Sequence, residues 1–181
     1  VKEGYLFIPI KGERVDGHKF IPTVFEQGAA IVLSEHELTD PAGPYVLVKS
    51  TIDAMKKLAA FYRKGLDIKV VGITGSVGKT STKDLLGQVL ASHGETIAPE
   101  GSFNSEVGVP LTVCRVERST RFLVVEMGAR GVGHVEYLTR IAPPRIGVVL
   151  NVGVAHVGEF GSREAIAIAK DTDYGLHATV F

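Results

Sequence analysis

A single cysteine, Cys114, is all the thiol chemistry the 181-residue chain holds, so no internal disulfide can form. It stands in the apolar run Leu111-Thr112-Val113-Cys114, where a buried small hydrophobe is expected. A reducing compartment fits so few thiols. Net charge is missing as well, with 20 Lys and Arg against 20 Asp and Glu. No overall field therefore favours nucleic acid or an anionic membrane, and any bound anion must be held by a local site. No apolar run approaches the roughly 20 residues that cross a bilayer, and no signal peptide is visible. There is no initiating Met: Val1 leads almost at once into Tyr5-Leu6-Phe7-Ile8-Pro9-Ile10, which reads as a start inside a domain. Internal repeats and low-complexity tracts are absent too.

What is there is the composition of a globular protein, 45% hydrophobic and 22% charged. Short apolar runs read as strands at Tyr5–Ile10, Ala30–Leu33, Tyr45–Val48, Lys69–Thr74, Phe122–Glu126 and Ile146–Leu150. Several are continuous rather than alternating, which predicts strands of a parallel sheet buried on both faces. Helical stripes lie between them: Ile52, Met55, Leu58, Ala59 and Tyr62 in one, Leu85, Leu86, Val89 and Leu90 in another. The alternation predicts an α/β fold with a mostly parallel sheet. A helix ending at Lys64-Gly65 places a boundary near 66, giving a small α/β unit over 1–66 and a second α/β unit over 67–181.

The second unit opens with the most informative stretch, Val70-Val71-Gly72-Ile73-Thr74-Gly75-Ser76-Val77-Gly78-Lys79-Thr80-Ser81-Thr82. A buried strand runs into a glycine-rich turn, and a helix follows. Glycines let successive backbone N–H groups approach phosphate oxygens, and the helix N-terminus adds its dipole. Lys79 reaches the outer phosphates as a point charge, and the Thr80 hydroxyl suits Mg²⁺. The general P-loop pattern wants a glycine where Ile73 stands, so what remains is the shorter Thr-Gly-x-x-Gly-Lys-Thr. The competing reading is a capping turn alone.

Residues Thr74–Thr82 resemble the ATP loop of the Mur ligase family, and further resemblances follow in order. Gly101-Ser102-Phe103-Asn104-Ser105-Glu106-Val107-Gly108-Val109-Pro110 is similar to that family's asparagine loop. Val124-Val125-Glu126-Met127-Gly128 resembles its strand ending in a metal-binding glutamate. Asn151-Val152-Gly153-Val154-Ala155-His156 and the residues to Ser162 resemble the stretch that carries its metal-binding histidine. At the front, Leu6 to Phe20 resembles the end of a uridine-nucleotide-binding motif. The resemblance covers about residues 1–170 and is greatest to members that add D-alanyl-D-alanine. The family's first strand and its Asp-Ser-Arg segment would precede Val1. The tail Asp171–Phe181 does not align with the family, and no C-terminal domain is present in these residues.

The resemblance implies an ATP-dependent, ADP-forming amide ligase of peptidoglycan precursor synthesis, working in the cytoplasm through an acyl phosphate. Its implied substrates are UDP-N-acetylmuramoyl-tripeptide and D-alanyl-D-alanine, and the implied parent is a monomer. ATP is expected on Thr74, Gly75, Ser76, Val77, Gly78, Lys79, Thr80 and Ser81. Two Mg²⁺ are expected: one on Thr80 and Glu126, a second on His156 and a carbamylated Lys170. Asn104 is expected to orient the substrate or the metal shell. The uridine nucleotide is expected at Lys11, Gly12, Asp16 and His18.

Blander readings stand beside these. Glu126 could be a surface carboxylate, His156 structural, Asn104 and Asp16-Gly17-His18 plain turns, and Lys170 a solvated helix lysine. The ligases that add diaminopimelate or lysine, and folylpolyglutamate synthase, share the ATP loop. The Leu6–Phe20 front argues against the synthase, and Ala155-His156, where tripeptide-forming ligases carry Asp-His, argues against the others. A third reading is a nucleotide-binding fragment without ligase turnover.

Overall fold

The computed structural model describes residues 1–129, 131, 133–152 and 179–180. The chain packs as two units, Val1–Lys57 and Leu58–Phe181, with the division inside a long helix.

The first unit holds three short strands, β1 (Leu6–Phe7), β2 (Ile31–Ser34) and β3 (Tyr45–Leu47), in one parallel sheet of that order. Leu6 pairs with Ile31 and Val32 with Tyr45. Between β1 and β2 run a 3-10 turn, Gly17–Phe20, and helix α1 (Ile21–Glu26), entered through Pro22 at its first turn. Pro is tolerated there because that N–H has no helical partner. Ile21 and Val24 of α1 pack with Ala29 and Val32 as the core, walled by Phe7, Phe25, Leu38 and Tyr45. The expected strand Tyr5–Ile10 shortens to Leu6–Phe7, because Pro9 has no N–H to give a ladder.

Helix α2 (Thr51–Lys64) buries Met55 and Ala59 completely. The stripe read from sequence is therefore narrower than expected: Leu58 and Tyr62 are exposed, although the Tyr62 hydroxyl still donates to the Val116 carbonyl at 2.6 Å.

Among the described residues, the second unit holds a five-stranded parallel sheet. Its elements are β4 (Lys69–Thr74), α3 (Lys79–Ala91), β5 (Thr96–Ile97), α4 (Gly108–Val113), β6 (Phe122–Glu126), α5 (His134–Ile141), β7 (Ile146–Val149) and β8 (Thr179–Val180). The spatial order is β5-β6-β4-β7-β8. The chain leaves β4 for the β5 edge, returns to β6 beside β4, then crosses to β7 on β4's other side. The carboxyl end of β4 is thus a switch point, where open α/β sheets leave a crevice for ligands.

Strand periodicity sorts the core. Val70, Leu123, Val125 and Met127 face one way and pack with Val109, Val113, Val135, Leu138 and Ile141 from α4 and α5. Val71, Ile73 and Val124 face the other way and meet Leu86 and Leu90 of α3. Both faces of β4 and β6 are covered, which accounts for their unbroken apolar runs. The α3 stripe needs correction: Leu85 and Val89 are exposed, and Lys83, Leu86, Gly87 and Leu90 turn inward at helical spacing. Cys114 also departs from expectation; it follows α4 and is exposed rather than buried. Among the described residues, no helix is long and apolar enough to cross a membrane.

Candidate functional site at the carboxyl end of the parallel sheet

The turn from β4 into α3 needs its glycines. Gly78 sits in the left-handed region at φ 84° and is the N-cap of α3. Gly75 has φ 153°, and a Cβ there would lie 3.0 Å from the Leu150 Cβ. A side chain at either position is strained, and at Gly75 it is also crowded. The loop that results curls over the helix N-terminus. Lys79 Nζ donates to the Gly75 carbonyl at 2.8 Å, which folds the ammonium back over the turn. Thr74 is buried, and its hydroxyl makes no hydrogen bond among the described residues.

Asn151, just past β7, holds the loop from the side. Its Oδ1 accepts from the N–H groups of Ser76 and Val77, each at 3.1 Å. Its Nδ2 donates to the Val77 carbonyl at 3.0 Å, and its own carbonyl accepts from Ser76 N–H at 3.2 Å. An amide that presents both acceptor and donor to one turn fixes its conformation. The sequence marked Asn151 as part of a motif but gave it no task.

Glu126 closes β6. It shares the α3 side of the sheet with Val124, since side chains two apart face alike, and it pairs in register with Ile73. Its carboxylate is only 2% exposed. Thr80 Oγ1 donates to Glu126 Oε2 at 2.8 Å, and Asn104 Nδ2 donates to Oε1 at 2.6 Å. Ser102 Oγ lies 3.3 Å from Thr80 Oγ1. Two segments far apart in sequence, the start of α3 and the loop of Ser102 and Asn104, therefore converge on the buried carboxylate that ends β6. The surface-carboxylate reading of Glu126 and the plain-turn reading of Asn104 do not describe this geometry. The Thr80 hydroxyl and the Glu126 carboxylate are oxygen ligands beside a phosphate-type loop, which fits a hard cation such as Mg²⁺. Among the described residues, no group of three or more His, Cys, Asp or Glu stands ready for a metal. His156 and Lys170, expected for a second cation, lie outside the described residues.

Sequence reading missed Lys83. Its side chain is completely buried on the inner face of α3. The ammonium donates to the carbonyls of Pro99 and, at 3.0 Å, Gly101, and it pairs with Asp84 Oδ1 at 2.8 Å. Taking such a charge out of water costs roughly several kcal/mol unless hydrogen bonds offset it. A helical stripe with a polar residue at an inward position was the available signal.

In the first unit, Lys11, Gly12, Asp16 and His18 come together in one turn after β1. Lys11 and Asp16 form an antiparallel bridge, and Gly12 N–H donates to the Val15 carbonyl at 2.9 Å. Asp16 Oδ1 accepts from His18 N–H at 2.9 Å and from His18 Nδ1 at 2.6 Å. His18 Nε2 accepts from Glu35 N–H at 3.1 Å, so the ring proton belongs on Nδ1, the nitrogen facing Asp16. Glu35 Oε1 in turn accepts from Thr51 N–H and Oγ1 at 2.7 and 2.9 Å. The hydrogen bond from His18 N–H, chief among several, holds the Asp16 carboxyl below its ordinary range. The one from Thr51 N–H does the same for Glu35. Both ring nitrogens of His18 are thus used, Nδ1 within the turn and Nε2 on Glu35 just after β2, while Lys11 and Gly12 are exposed.

Comparison with known proteins bears directly on these elements. Residues 73–172 match the Mur ligase middle domain, and residues 1–71 match the description "Mur ligase family, catalytic domain". A UDP-N-acetylmuramoyl-tripeptide–D-alanyl-D-alanine ligase of Mycobacterium tuberculosis is 46% identical over 188 residues, covering 92% of this chain and 37% of that protein. The Bacillus subtilis protein of the same name is 41% identical over 172 residues, covering 94% and 38%. The structure of MurF ligase from Thermotoga maritima in complex with ADP superposes with a TM-score of 0.87 at 36% identity, over 100% of this chain and 43% of that one. MurF from Acinetobacter baumannii gives 0.85 at 35%, over 93% and 37%. The chain therefore spans about two fifths of the length of these relatives. With matches in chain order across both units, and an α/β fold shared with those structures, the chain belongs to the Mur ligase family.

Proposed function

We propose that the whole protein joins D-alanyl-D-alanine to UDP-N-acetylmuramoyl-tripeptide at the expense of ATP, releasing ADP and phosphate. The observation that carries this reading is the meeting of Thr80 and Asn104 on the buried Glu126 carboxylate, directly beside the Gly75–Lys79 turn. Support for the particular substrates comes from relatives 41–46% identical that bear that ligase's name. Residues 1–66 are the uridine-nucleotide-binding domain, with Lys11, Gly12, Asp16 and His18 at its ligand turn. Residues from 67 onward form the ATP-binding domain. The protein works as a monomer in the cytoplasm.

Phosphoryl transfer asks a protein chiefly for positioning and charge neutralisation. The N–H groups at the start of α3 receive the phosphate tail, with Lys79 on the outer phosphates, while Asn151 holds the N–H groups of Ser76 and Val77 and so keeps the turn in shape. Ser81 lies in the first turn of α3 and lines the same end. Thr80 and Glu126 would hold one Mg²⁺, and His156 with a carbamylated Lys170 would hold a second. Mg²⁺ held by those residues would supply the charge neutralisation that an anionic carboxylate needs to approach an anionic phosphate. Asn104 orients the Glu126 carboxylate through its 2.6 Å hydrogen bond. The substrate carboxylate attacks the γ-phosphate, giving an acyl phosphate and ADP. The dipeptide amine then attacks the acyl carbon and expels phosphate.

Phosphate release by the whole protein tests this. Release should require ATP, Mg²⁺, UDP-N-acetylmuramoyl-tripeptide and D-alanyl-D-alanine together. Release that prefers diaminopimelate, lysine or glutamate as amine donor would move the protein to another branch of the family. A polypeptide of these 181 residues alone should bind nucleotide weakly and show no dipeptide-dependent release.

A further inference from the structure

The loop that delivers Ser102 and Asn104 has no strand or helix of its own between β5 and α4. Something must hold it against α3 for Asn104 to reach Glu126. On its far side the Asn104 carbonyl accepts from Gly128 N–H at 2.8 Å, which ties it to the end of β6. On its near side the tie is the Lys83 ammonium, which takes the carbonyls of Pro99 and Gly101, the latter at 3.0 Å. Lys83 lies three residues beyond Thr80, so both project from one side of α3. One helix face therefore presents the hydroxyl that meets Glu126 and the ammonium that grips the loop bringing Asn104 to the same carboxylate. Asp84, half-exposed, steadies that ammonium at 2.8 Å.

An apolar side chain would fill this inward position at no desolvation cost. A fully buried ammonium there is balanced by the carbonyls it holds, and these belong to the asparagine loop rather than to the sheet. We propose that Lys83 is a positioning residue for the asparagine loop: its ammonium fixes Pro99 and Gly101 so that Asn104 and Ser102 stay registered on Glu126 and Thr80. The claim rests on the ligase reading for its kinetic consequence, but not for its structural one. Lys83 touches no reacting atom and acts through Asn104.

A double-mutant cycle on the whole protein, joined to hydrogen exchange without nucleotide, tests the proposal. Lys83→Met removes the charge with little change of length. It should speed exchange of the 101–105 amides at least tenfold while leaving the β4 amides 70–73 unchanged. It should lower kcat at least tenfold in the wild-type background, yet less than threefold when Asn104 is already Ala, because the two act in one chain of contacts. Should Lys83→Met fail to fold, Lys83→Arg carries the same cycle, since its planar guanidinium keeps the charge but cannot replace a compact ammonium between two carbonyls. Multiplying kinetic effects, or unchanged exchange at 101–105, would overturn the proposal. Faster exchange at 101–105 in Lys83→Met, together with no ligase turnover in the wild-type protein, would sink the ligase reading and leave the positioning role standing.

Discussion

Thr80 and Glu126 stand 46 residues apart, and the hydroxyl of one donates to the buried carboxylate of the other at 2.8 Å. Thr80 lies in the first turn of α3 and Glu126 closes β6, so this bond joins the helix that follows the phosphate-type turn to the end of the neighbouring strand. Under the proposed function, these two oxygens are the ones that would hold a cation beside the phosphates.

Removing one donor exposes what that bond does. Thr80→Ala leaves a carboxylate 2% exposed with one hydrogen-bond donor fewer. A cost of roughly 1–3 kcal/mol is expected for a buried group that loses a partner. Denaturant unfolding of the chain without ligand should show that loss. Turnover of the whole protein should also need far more Mg²⁺. A Thr80→Ala variant with unaltered Mg²⁺ dependence would remove Thr80 from the cation site.

The glycines of the turn should resist substitution. Gly78→Ala forces a Cβ into the left-handed region, at roughly 1–2 kcal/mol. Gly75→Ala should cost more, because its Cβ would also meet Leu150 at 3.0 Å. Thermal unfolding of both variants should give the order wild type, Gly78→Ala, Gly75→Ala in falling stability.

Acid should weaken the first unit in a defined window. Asp16 and Glu35 both have carboxyls held low in the fold, by hydrogen bonds from His18 and Thr51. A lowered folded value means the unfolded chain takes up the proton first as pH drops. The stabilisation is therefore complete well above the ordinary values of 3.8 and 4.5 and is lost as pH falls below them. Glu35→Gln should be less stable than wild type at neutral pH and should lose less on acidification to pH about 3. Parallel stability curves for the two proteins would contradict this.

Much of this was legible in the sequence, and the exceptions have physical causes. The strand Lys69–Thr74 and the strand Phe122–Glu126 appear with the bounds their apolar runs suggested. Both are buried on two faces, and burial leaves a strong signal. Thr96–Ile97 escaped notice because a two-residue edge strand carries too little pattern. The glycine turn, Thr80, Asn104 and Glu126 were legible as motifs, and the structure brings them together. Lys83 was not legible, since an inward lysine looks like a solvated one until the carbonyls of Pro99 and Gly101 are seen around it. Leu85 and Val89 misled for the opposite reason: apolar residues at helical spacing need not face the core. Asn151 lay inside a recognised motif, but its hold on Ser76 and Val77 depends on β7 lying beside β4.

Hydrogen exchange across residues 75–80 of the whole protein, with ATP and Mg²⁺ or with AMP and Mg²⁺, bears most directly on the phosphate-binding assignment. Triphosphate should slow exchange of those amides at least tenfold, and AMP should leave them nearly unchanged. Lys79→Ala should abolish the difference. Equal exchange under all conditions at millimolar ATP would mean that the turn after β4 does not grip a phosphate tail.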